Sequence, residues 1–294
     1  MATSATTQDD EVIGGYKVVR MLQRGQSCDI MEVIKLDTGR RYAMKQLREA
    51  GAADPDERKQ LAFEAKLGME LNHPNLIRVH EYVGKGEMPY FVMDYFPSNH
   101  LRQLIKFADK FNFTPSRIRR VMIQAARGLA YMHDKGWIHR DIKPENILVN
   151  KAGETKVIDY ALARRPPSVL ARLLRIRPPC QGTESYMSPE QILRLPPAVS
   201  ADIYSYGVTC YEMVTGRQPF RANSRAELFE KHLRAKPASP IVHNPNITPE
   251  FADLVLSMLQ KDPRKRPESM MAFLSRLRTI RIFKDDPDPA TQEA

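Results

Sequence analysis

Cysteine is scarce in this sequence of 294 residues, which contains only Cys28, Cys180 and Cys210. An odd number of cysteines without a pairing signature argues against a disulfide-rich secreted domain and favours a reducing, cytoplasmic location. No apolar run approaches the ~20 residues that a membrane-spanning helix needs, so we expect no membrane span. Residues 1–15 are polar and lack the basic and apolar regions of a signal peptide.

Acidic residues are missing from one basic segment, residues 164–177, which carries five arginines. The whole chain has a formal net charge of +10, a balance that could serve nucleic acids or acidic partners. The arginines are not interleaved with aromatic residues that could stack on bases, so we expect no nucleic-acid binding. The segment could dock acidic partners or a membrane surface, but its apolar residues favour packing against the larger part of the protein.

Residues 139–146 read HRDIKPEN and concentrate polar side chains in a short stretch. Pro144 excludes the interior of a helix, so we predict a rigid loop. Asp141 can accept a hydroxyl proton, Asn146 can ligate magnesium through its amide oxygen, and Lys143 can balance phosphate charge. This combination favours phosphoryl transfer.

The stretch resembles the catalytic loop of protein kinases, H-R-D-x-x-x-x-N, and Lys143 is typical of the Ser/Thr kinases. The chain is most similar in pattern to the eukaryotic-like (Hanks-type) kinases of bacteria. The resemblance implies an α+β, bilobal protein kinase fold, with a small five-stranded antiparallel sheet lobe and a larger, mostly helical lobe. We expect these parts: a disordered N-terminus at 1–15, a kinase domain at 16–283 (small lobe 16–93, hinge 94–98, larger lobe 99–283) and an acidic disordered tail at 284–294.

In the small lobe, Ala43-Met44-Lys45 resembles the third-strand A-x-K of the family, whose lysine reaches the ATP phosphates. Glu64 lies in a helix predicted to begin at Asp54, and it corresponds to the glutamate that holds this lysine. The family's glycine-rich loop is degenerate: Gly25 remains, but glutamine and cysteine take the outer glycine positions, 23 and 28. The resemblance assigns nucleotide binding to Leu22, Gly25, Ile30, Ala43, Lys45, Met93 as gatekeeper, Asp94 and Tyr95 in the hinge, and Leu148.

In the larger lobe, Asp159 opens Asp-Tyr-Ala, which resembles the family's D-F-G and implies that Asp159 and Asn146 hold the metal ion. Ala161 replaces the glycine and loses its access to positive φ, so we predict fewer conformations at this hinge. Residues 182–190, GTESYMSPE, resemble the segment that positions protein substrates. The resemblance further implies that Thr183 contacts Asp141 and Lys143, that Glu190 pairs with Arg266, and that Asp202 supports the catalytic loop.

The implied activity is a serine/threonine protein kinase that uses ATP with Mg²⁺, or with Mn²⁺ as the alternative, to phosphorylate Ser or Thr hydroxyls of protein substrates. Asp141 would be the base, Lys143 would stabilise the transferred phosphoryl group, and Lys45, held by Glu64, would position the phosphates. Ser168 is the only hydroxyl between Ala161 and Gly182, so we expect loop phosphorylation to be unnecessary or confined to it.

Two alternatives remain at this point. The degenerate glycine loop and Asp-Tyr-Ala favour a pseudokinase scaffold that binds nucleotide weakly or not at all and acts through protein contacts. The pseudokinase alternative is opposed by the retention of the whole catalytic set, which is Lys45, Glu64, Asp141, Asn146 and Asp159. A small-molecule kinase of related fold is the second alternative, and residues 182–190 weaken it.

Overall fold

A computed structural model describes residues 11–166 and 178–287, which form two compact units. The first unit contains the chain up to Asn72 together with Ile77–Pro97, and the second contains His73–Leu76 and the chain from Ser98 onwards. The chain therefore passes from one unit to the other inside the predicted hinge, and the short turn that follows Asn72 belongs to the second unit.

The first unit is built on a six-stranded antiparallel sheet rather than the five strands expected, in the order β1-β2-β3-β4-β6-β5. The additional strand, β1, lies within residues 1–15, so the prediction of disorder was wrong for that part. Gly14 and Gly15 have φ of 55° and 86° and form the tight turn that folds β1 back onto β2. The strands are β1 Val12–Ile13, β2 Tyr16–Arg24, β3 Cys28–Lys35, β4 Arg41–Leu47, β5 Val79–Val83 and β6 Tyr90–Asp94.

Two helices complete the first unit, α1 at Glu49–Ala53 and α2 at Pro55–Glu70. The predicted start of α2 is confirmed, because the Asp54 carboxylate accepts a hydrogen bond from the Asp56 amide at 2.8 Å and Pro55 takes the first helical position. The short helix α1 was not predicted. Both helices contribute to an apolar cluster with the sheet, made of Leu47, Ala52, Leu61, Ala65, Val79 and Phe91.

The second unit is mostly helical and has a three-stranded sheet of β7 Asn99–His100, β8 Ile147–Val149 and β9 Thr155–Val157. Its centre is α6, where every residue from Ala201 to Val214 is buried. This helix begins at Val199, so Asp202 lies in its first turn. The helices are α3 Leu101–Lys106, α4 Pro115–Asp134, α5 Pro189–Ile192, α6 Val199–Thr215, α7 Arg225–Arg234, α8 Pro249–Met258 and α9 Met270–Thr279.

The end of the described chain also differs from expectation, because residues 284–287 of the predicted disordered tail are ordered. The Lys284 amide donates to the Asn246 carbonyl at 2.8 Å, and the Asp286 carboxylate accepts from the amides of Ile282 and Phe283. A carboxylate that caps a turn in this way explains why this acidic stretch begins in a folded conformation. The remaining predicted disorder, at 1–10 and 288–294, lies outside the described residues.

Within residues 11–166 and 178–287, none of the helices combines the length and the apolar character that crossing a membrane requires.

Candidate active site

The loop between α4 and β8 carries Asp141, Lys143 and Asn146 within hydrogen-bonding distance of one another. Pro144–Asn146 form a single 3-10 turn with Pro144 at its first position, so the stretch contains no α-helix, in line with the predicted loop. Lys143 Nζ donates to Asp141 Oδ2 at 2.6 Å. Asn146 Nδ2 donates to the Asp141 carbonyl oxygen at 2.8 Å and to Asp141 Oδ2 at 3.1 Å. The side chain of Asp141 is thus fixed in position by its own loop.

Thr183, from the segment at 182–190, fixes the second carboxylate oxygen. Its backbone amide and its hydroxyl both donate to Asp141 Oδ1 at 2.9 Å. Lys143 Nζ also donates to Thr183 Oγ1 at 2.7 Å, so the predicted contacts among these three residues are present. Burial alone would raise the pKa of Asp141, but the Lys143 ammonium and the hydrogen bonds from Lys143 and Thr183 outweigh it, and the pKa lies below the usual aspartate value. Asp141 is therefore ionised at neutral pH.

Asp202 supports this loop from the first turn of α6. Its fully buried carboxylate accepts hydrogen bonds from the backbone amides of His139 and Arg140 and approaches His133 Nε2, each at 2.8 Å. Burial would raise the pKa of Asp202, yet its contacts with His133 and the loop amides lower it. Arg140 has a φ of 70°, a conformation that costs energy for a residue with a side chain. The Asp202 carboxylate holds the loop in this conformation, as the resemblance implied.

Asn146 and Asp159 provide oxygen ligands of the kind that Mg²⁺ prefers. The Ile158 amide donates to the Asn146 carbonyl at 3.0 Å, which brings the residue before Asp159 against Asn146. Because the Asn146 amide nitrogen is engaged with Asp141, its amide oxygen is the atom that could bind a metal ion. Asp159 adds a carboxylate, of which Oδ1 accepts from the Ala161 amide at 3.3 Å. This donor set fits a divalent metal that is completed by phosphate oxygens and water.

Within Asp-Tyr-Ala, the residue with a left-handed backbone conformation is Asp159, whose φ is 69°. Tyr160 is buried and packs edge-on against His139, with ring centroids 6.2 Å apart. The described residues with positive φ do not include Ala161, so the alanine fits this conformation without strain. The expected reduction in the number of conformations stays a prediction.

The segment 182–190 ends in a helix cap that was not predicted from the sequence. Ser188 Oγ accepts from the Gln191 amide at 3.3 Å, while Gln191 Oε1 accepts from the Ser188 amide at 3.1 Å. Gln191 Nε2 also donates to the Arg140 carbonyl at 2.8 Å, which ties the segment to the catalytic loop. The sequence signal was present, because Ser-x-x-Gln before a helix is a capping box.

Glu190 forms the predicted buried pair with Arg266. The two guanidinium nitrogens Nη1 and Nη2 lie 2.6 Å and 3.0 Å from the two carboxylate oxygens. Arg266 also donates to the carbonyls of Ser200, Gln260 and Lys261, so its hydrogen bonds are distributed over several loops. A bidentate, buried pair of this kind holds residues 182–190 against the end of the second unit's helical core.

In the first unit, the structure brings Lys45 of β4 and Glu64 of α2 together. Lys45 Nζ lies 2.6 Å from Glu64 Oε2, and the two side chains are 16% and 6% exposed. Ala43 is buried two residues before Lys45 on the same strand. The pair holds the lysine on β4, an interior strand of the sheet, and the contact between the two side chains is the one that the resemblance implied.

Most of the other predicted nucleotide-binding residues lie on neighbouring strands of the first unit. Across the strands, Ile30 pairs with Lys45, Ala43 with Met93, and Tyr42 with Asp94. Leu22 lies exposed near the end of β2, Gly25 lies in the turn after it, and Leu148 is on β8 of the second unit. Tyr95 accepts a hydrogen bond from Arg20 at 3.0 Å, and Arg20 also contacts the buried Glu32 at 2.8 Å. This link between β2, β3 and the predicted hinge was not predicted from the sequence.

Of the arginine-rich segment, the structure describes Arg164 and Arg165 but not residues 167–177. Ser168, the predicted phosphorylation site, therefore lies outside the described residues. Arg164 donates to the backbone carbonyl of Ala163 at 2.7 Å, and the Arg165 guanidinium lies over the Trp137 ring at 4.4 Å. These contacts with the second unit account for the start of the segment only.

The fold and the arrangement of Asp141, Lys143, Asn146 and Asp159 are those expected of a protein kinase domain. Residues 16–276 match the family model of the protein kinase domain, and the chain belongs to this family.

Several curated relatives come from bacteria. A probable serine/threonine-protein kinase of Streptomyces coelicolor, SCO3848, is 34% identical over 260 residues, which cover 87% of this chain and 38% of the relative. Serine/threonine-protein kinase PknA of Mycobacterium tuberculosis is 29% identical over 282 residues, covering 94% and 64%. Serine/threonine-protein kinase pkn3 of Myxococcus xanthus is 31% identical over 289 residues, covering 94% and 52%. The chain thus spans between 38% and 64% of the length of these relatives.

Proposed function

We propose that this chain is a serine/threonine protein kinase that transfers the γ-phosphoryl group of ATP to Ser or Thr hydroxyls of protein substrates. The observation that carries the proposal is the fixed, ionised carboxylate of Asp141, held by Lys143, Asn146 and Thr183. An aspartate kept ionised and immobile is suited to orient an acceptor hydroxyl and to take its proton. The names of the bacterial relatives support the same acceptor class.

The mechanism assigns each retained residue one task. Asp141 Oδ2 accepts the proton of the substrate hydroxyl as the hydroxyl oxygen attacks the γ-phosphorus, and the bond from that phosphorus to the bridging oxygen breaks to release ADP. Lys143, which touches both Asp141 and Thr183, stabilises negative charge on the transferred phosphoryl group. Lys45, oriented by Glu64, binds the phosphates of ATP. Asn146 and Asp159 would hold Mg²⁺ or Mn²⁺, which neutralises phosphate charge when it is bound. Catalysis then consists of positioning and electrostatic stabilisation.

The remaining assignments belong to the same proposal. Leu22, Gly25, Ile30, Ala43, Met93, Asp94, Tyr95 and Leu148 would bind the nucleotide. The arginines at 164–177 would suit an acidic partner, and the chain would act in the cytoplasm.

The test is transfer of labelled phosphate from ATP to the chain itself and to a generic basic protein, with Mg²⁺ or Mn²⁺. Asp141→Asn should lower the transfer rate about 10³-fold, the scale of a lost general base, because the amide cannot take the proton. Binding of ADP, read from the melting temperature, should be nearly the same in the variant. Nucleotide binding by the wild type without any transfer would contradict the proposal and indicate a scaffold.

A further inference from the structure

The turn between β2 and β3, residues 25–27, is the part of the kinase pattern that this sequence keeps least. Glycines in such a turn serve close approach of the backbone to phosphates. With Gln23 and Cys28 in the outer glycine positions, another feature must place the backbone of the turn. The structure shows that residues around α1, the short helix at Glu49–Ala53, contact it directly. The following inference rests on the proposed use of ATP.

Arg48 makes the first set of contacts, from the position just before α1. Its backbone amide donates to the Ser27 carbonyl at 2.9 Å, and its Nη1 donates to the Gly25 carbonyl at 3.2 Å. Its Nε also lies 3.8 Å from a carboxylate oxygen of Asp29, at the start of β3. A single arginine thus contacts the turn at its beginning, at its end and just beyond it.

Gly51 makes the second contact, through a close approach that only glycine permits. A Cβ atom built on Gly51 would lie 2.5 Å from the Ser27 carbonyl oxygen, well inside the normal contact distance. A Cβ atom on Gly25 would likewise lie 2.5 Å from the Cys28 carbonyl oxygen. Two glycines therefore permit these close contacts: Gly25 within the turn and Gly51 on α1.

The helix α1 is itself anchored, so its contacts can hold the turn in place. Ala52 is buried in the apolar cluster of the first unit. Arg58 of α2 donates to the Ala52 carbonyl and, at 2.8 Å, to the Glu87 carbonyl near β6. These contacts connect the turn to the core of the sheet through α1.

We propose that Arg48 and Gly51 are positioning residues that hold the turn at 25–27 ready to bind the phosphates of ATP, in place of the missing glycines. The Gly25 amide already donates to the Cys28 carbonyl at 2.9 Å. Within the part of the chain that the structure describes, the amides of Gln26 and Ser27 have no backbone acceptor. These two amides are the groups that the arrangement presents to phosphate. A turn that is ordered before binding loses less conformational entropy when the nucleotide arrives.

The test compares Arg48→Ala and Gly51→Ala with two controls, Lys85→Ala for the lost charge and Ala50→Ser for a change on the same helix. Alanine is a better helix former than glycine, so Gly51→Ala should fold and displace only the turn. We expect each test variant to raise the KM for ATP about fivefold, the scale of ordering a few side chains, with kcat and the KM for protein substrate nearly unchanged. A merely structural defect would lower kcat through loss of active protein and leave the KM for ATP unchanged.

Amide hydrogen exchange of the nucleotide-free protein measures how well these contacts order the turn when no ATP is present. The Gly25 amide, which donates to the Cys28 carbonyl within the turn, should exchange faster in Arg48→Ala than in the wild type and in both controls. Unchanged exchange, or an unchanged KM for ATP in an active enzyme, would overturn the positioning role alone. A wild type that neither binds nucleotide nor transfers phosphate would overturn the proposed function and this role together.

Discussion

The two loops that the family resemblance assigns to phosphoryl transfer are held in different ways. The catalytic loop at 139–146 is fixed by side chains, since Asp202, Thr183 and Gln191 reach its backbone or its aspartate from other elements. The turn at 25–27 is fixed largely through its own backbone, by contacts with Arg48 and Gly51. The first arrangement depends on particular functional groups, whereas the second depends on how closely two backbones can approach.

This difference explains why one loop is easy to recognise and the other is not. Few other residues can replace a carboxylate that, like Asp202, accepts hydrogen bonds from two backbone amides. The catalytic loop and its supports therefore have a recognisable sequence pattern. A backbone contact tolerates many side chains as long as glycine is present at the point of approach, and that glycine can lie on another element. Substitutions that affect the catalytic loop should therefore lower stability and activity more than substitutions that affect the turn at 25–27.

The largest effect on stability should follow from Asp202→Asn. An amide keeps one acceptor oxygen but turns an N–H₂ group towards His133 or the loop amides, so at least one buried donor loses its acceptor. We expect a loss of about 3 kcal/mol in the free energy of unfolding, measured by urea denaturation. Asp253→Asn on the exposed face of α8 is the control. A loss below about 1 kcal/mol would mean that the loop does not depend on this carboxylate.

Glu64→Gln tests the one ion pair of the proposed mechanism that lies in the first unit. The glutamine can still accept a hydrogen bond from Lys45, but the lysine then lacks its opposing charge and has a weaker preference for this position. We expect kcat/KM for ATP to fall about 30-fold, equivalent to about 2 kcal/mol. Glu70→Gln at the exposed end of α2 should have little effect. Equal activity of Glu64→Gln and the wild type would remove Glu64 from the proposed mechanism.

Lys143→Met tests the electrostatics of the catalytic loop through pH. The pKa of Asp141 in the folded protein lies below its usual value. The ionised carboxylate therefore stabilises the fold at pH values above the pKa of the unfolded chain, about 3.9. This stabilisation disappears as the pH falls through the pKa of the folded protein. Without the ammonium the effect of burial remains and raises the pKa. In a profile of kcat/KM against pH, the acidic limb should therefore move to higher pH in the variant. An unmoved limb would show that Lys143 does not control this carboxylate.

Much of the second unit could be predicted from the sequence, because its motifs consist of side chains that act directly. The contacts of Thr183 with Asp141, of Glu190 with Arg266 and of Asp202 with the loop amides all followed from the resemblance and are present. The errors concern local structure that few residues determine. Strand β1 has two residues and forms because two glycines make its turn, and α1 has five residues with only one polar residue that suits a helix start.

The positioning contacts of the turn at 25–27 could not be predicted, for a physical reason. They join residues more than twenty positions apart through backbone atoms, and a backbone carbonyl has no sequence signature. Glycine is unfavourable inside a helix, and the reason for Gly51 becomes clear only from the close approach of the Ser27 carbonyl. The Ser188 cap differs, since its sequence signal is local and is sufficient to predict it.

Ser188→Ala should have the smallest effect. The substitution removes the acceptor for the Gln191 amide at the start of α5 and should cost about 1 kcal/mol, the usual value of a helix cap. Gln191→Ala should cost more, because it also removes the donor to the Arg140 carbonyl. If the cap serves stability alone, urea denaturation will separate the wild type from Ser188→Ala while the transfer rate stays equal. A slower Ser188→Ala enzyme of undiminished stability would show instead that the cap sets the geometry of the catalytic loop, and that side-chain contacts there are even less replaceable than the backbone contacts of the turn.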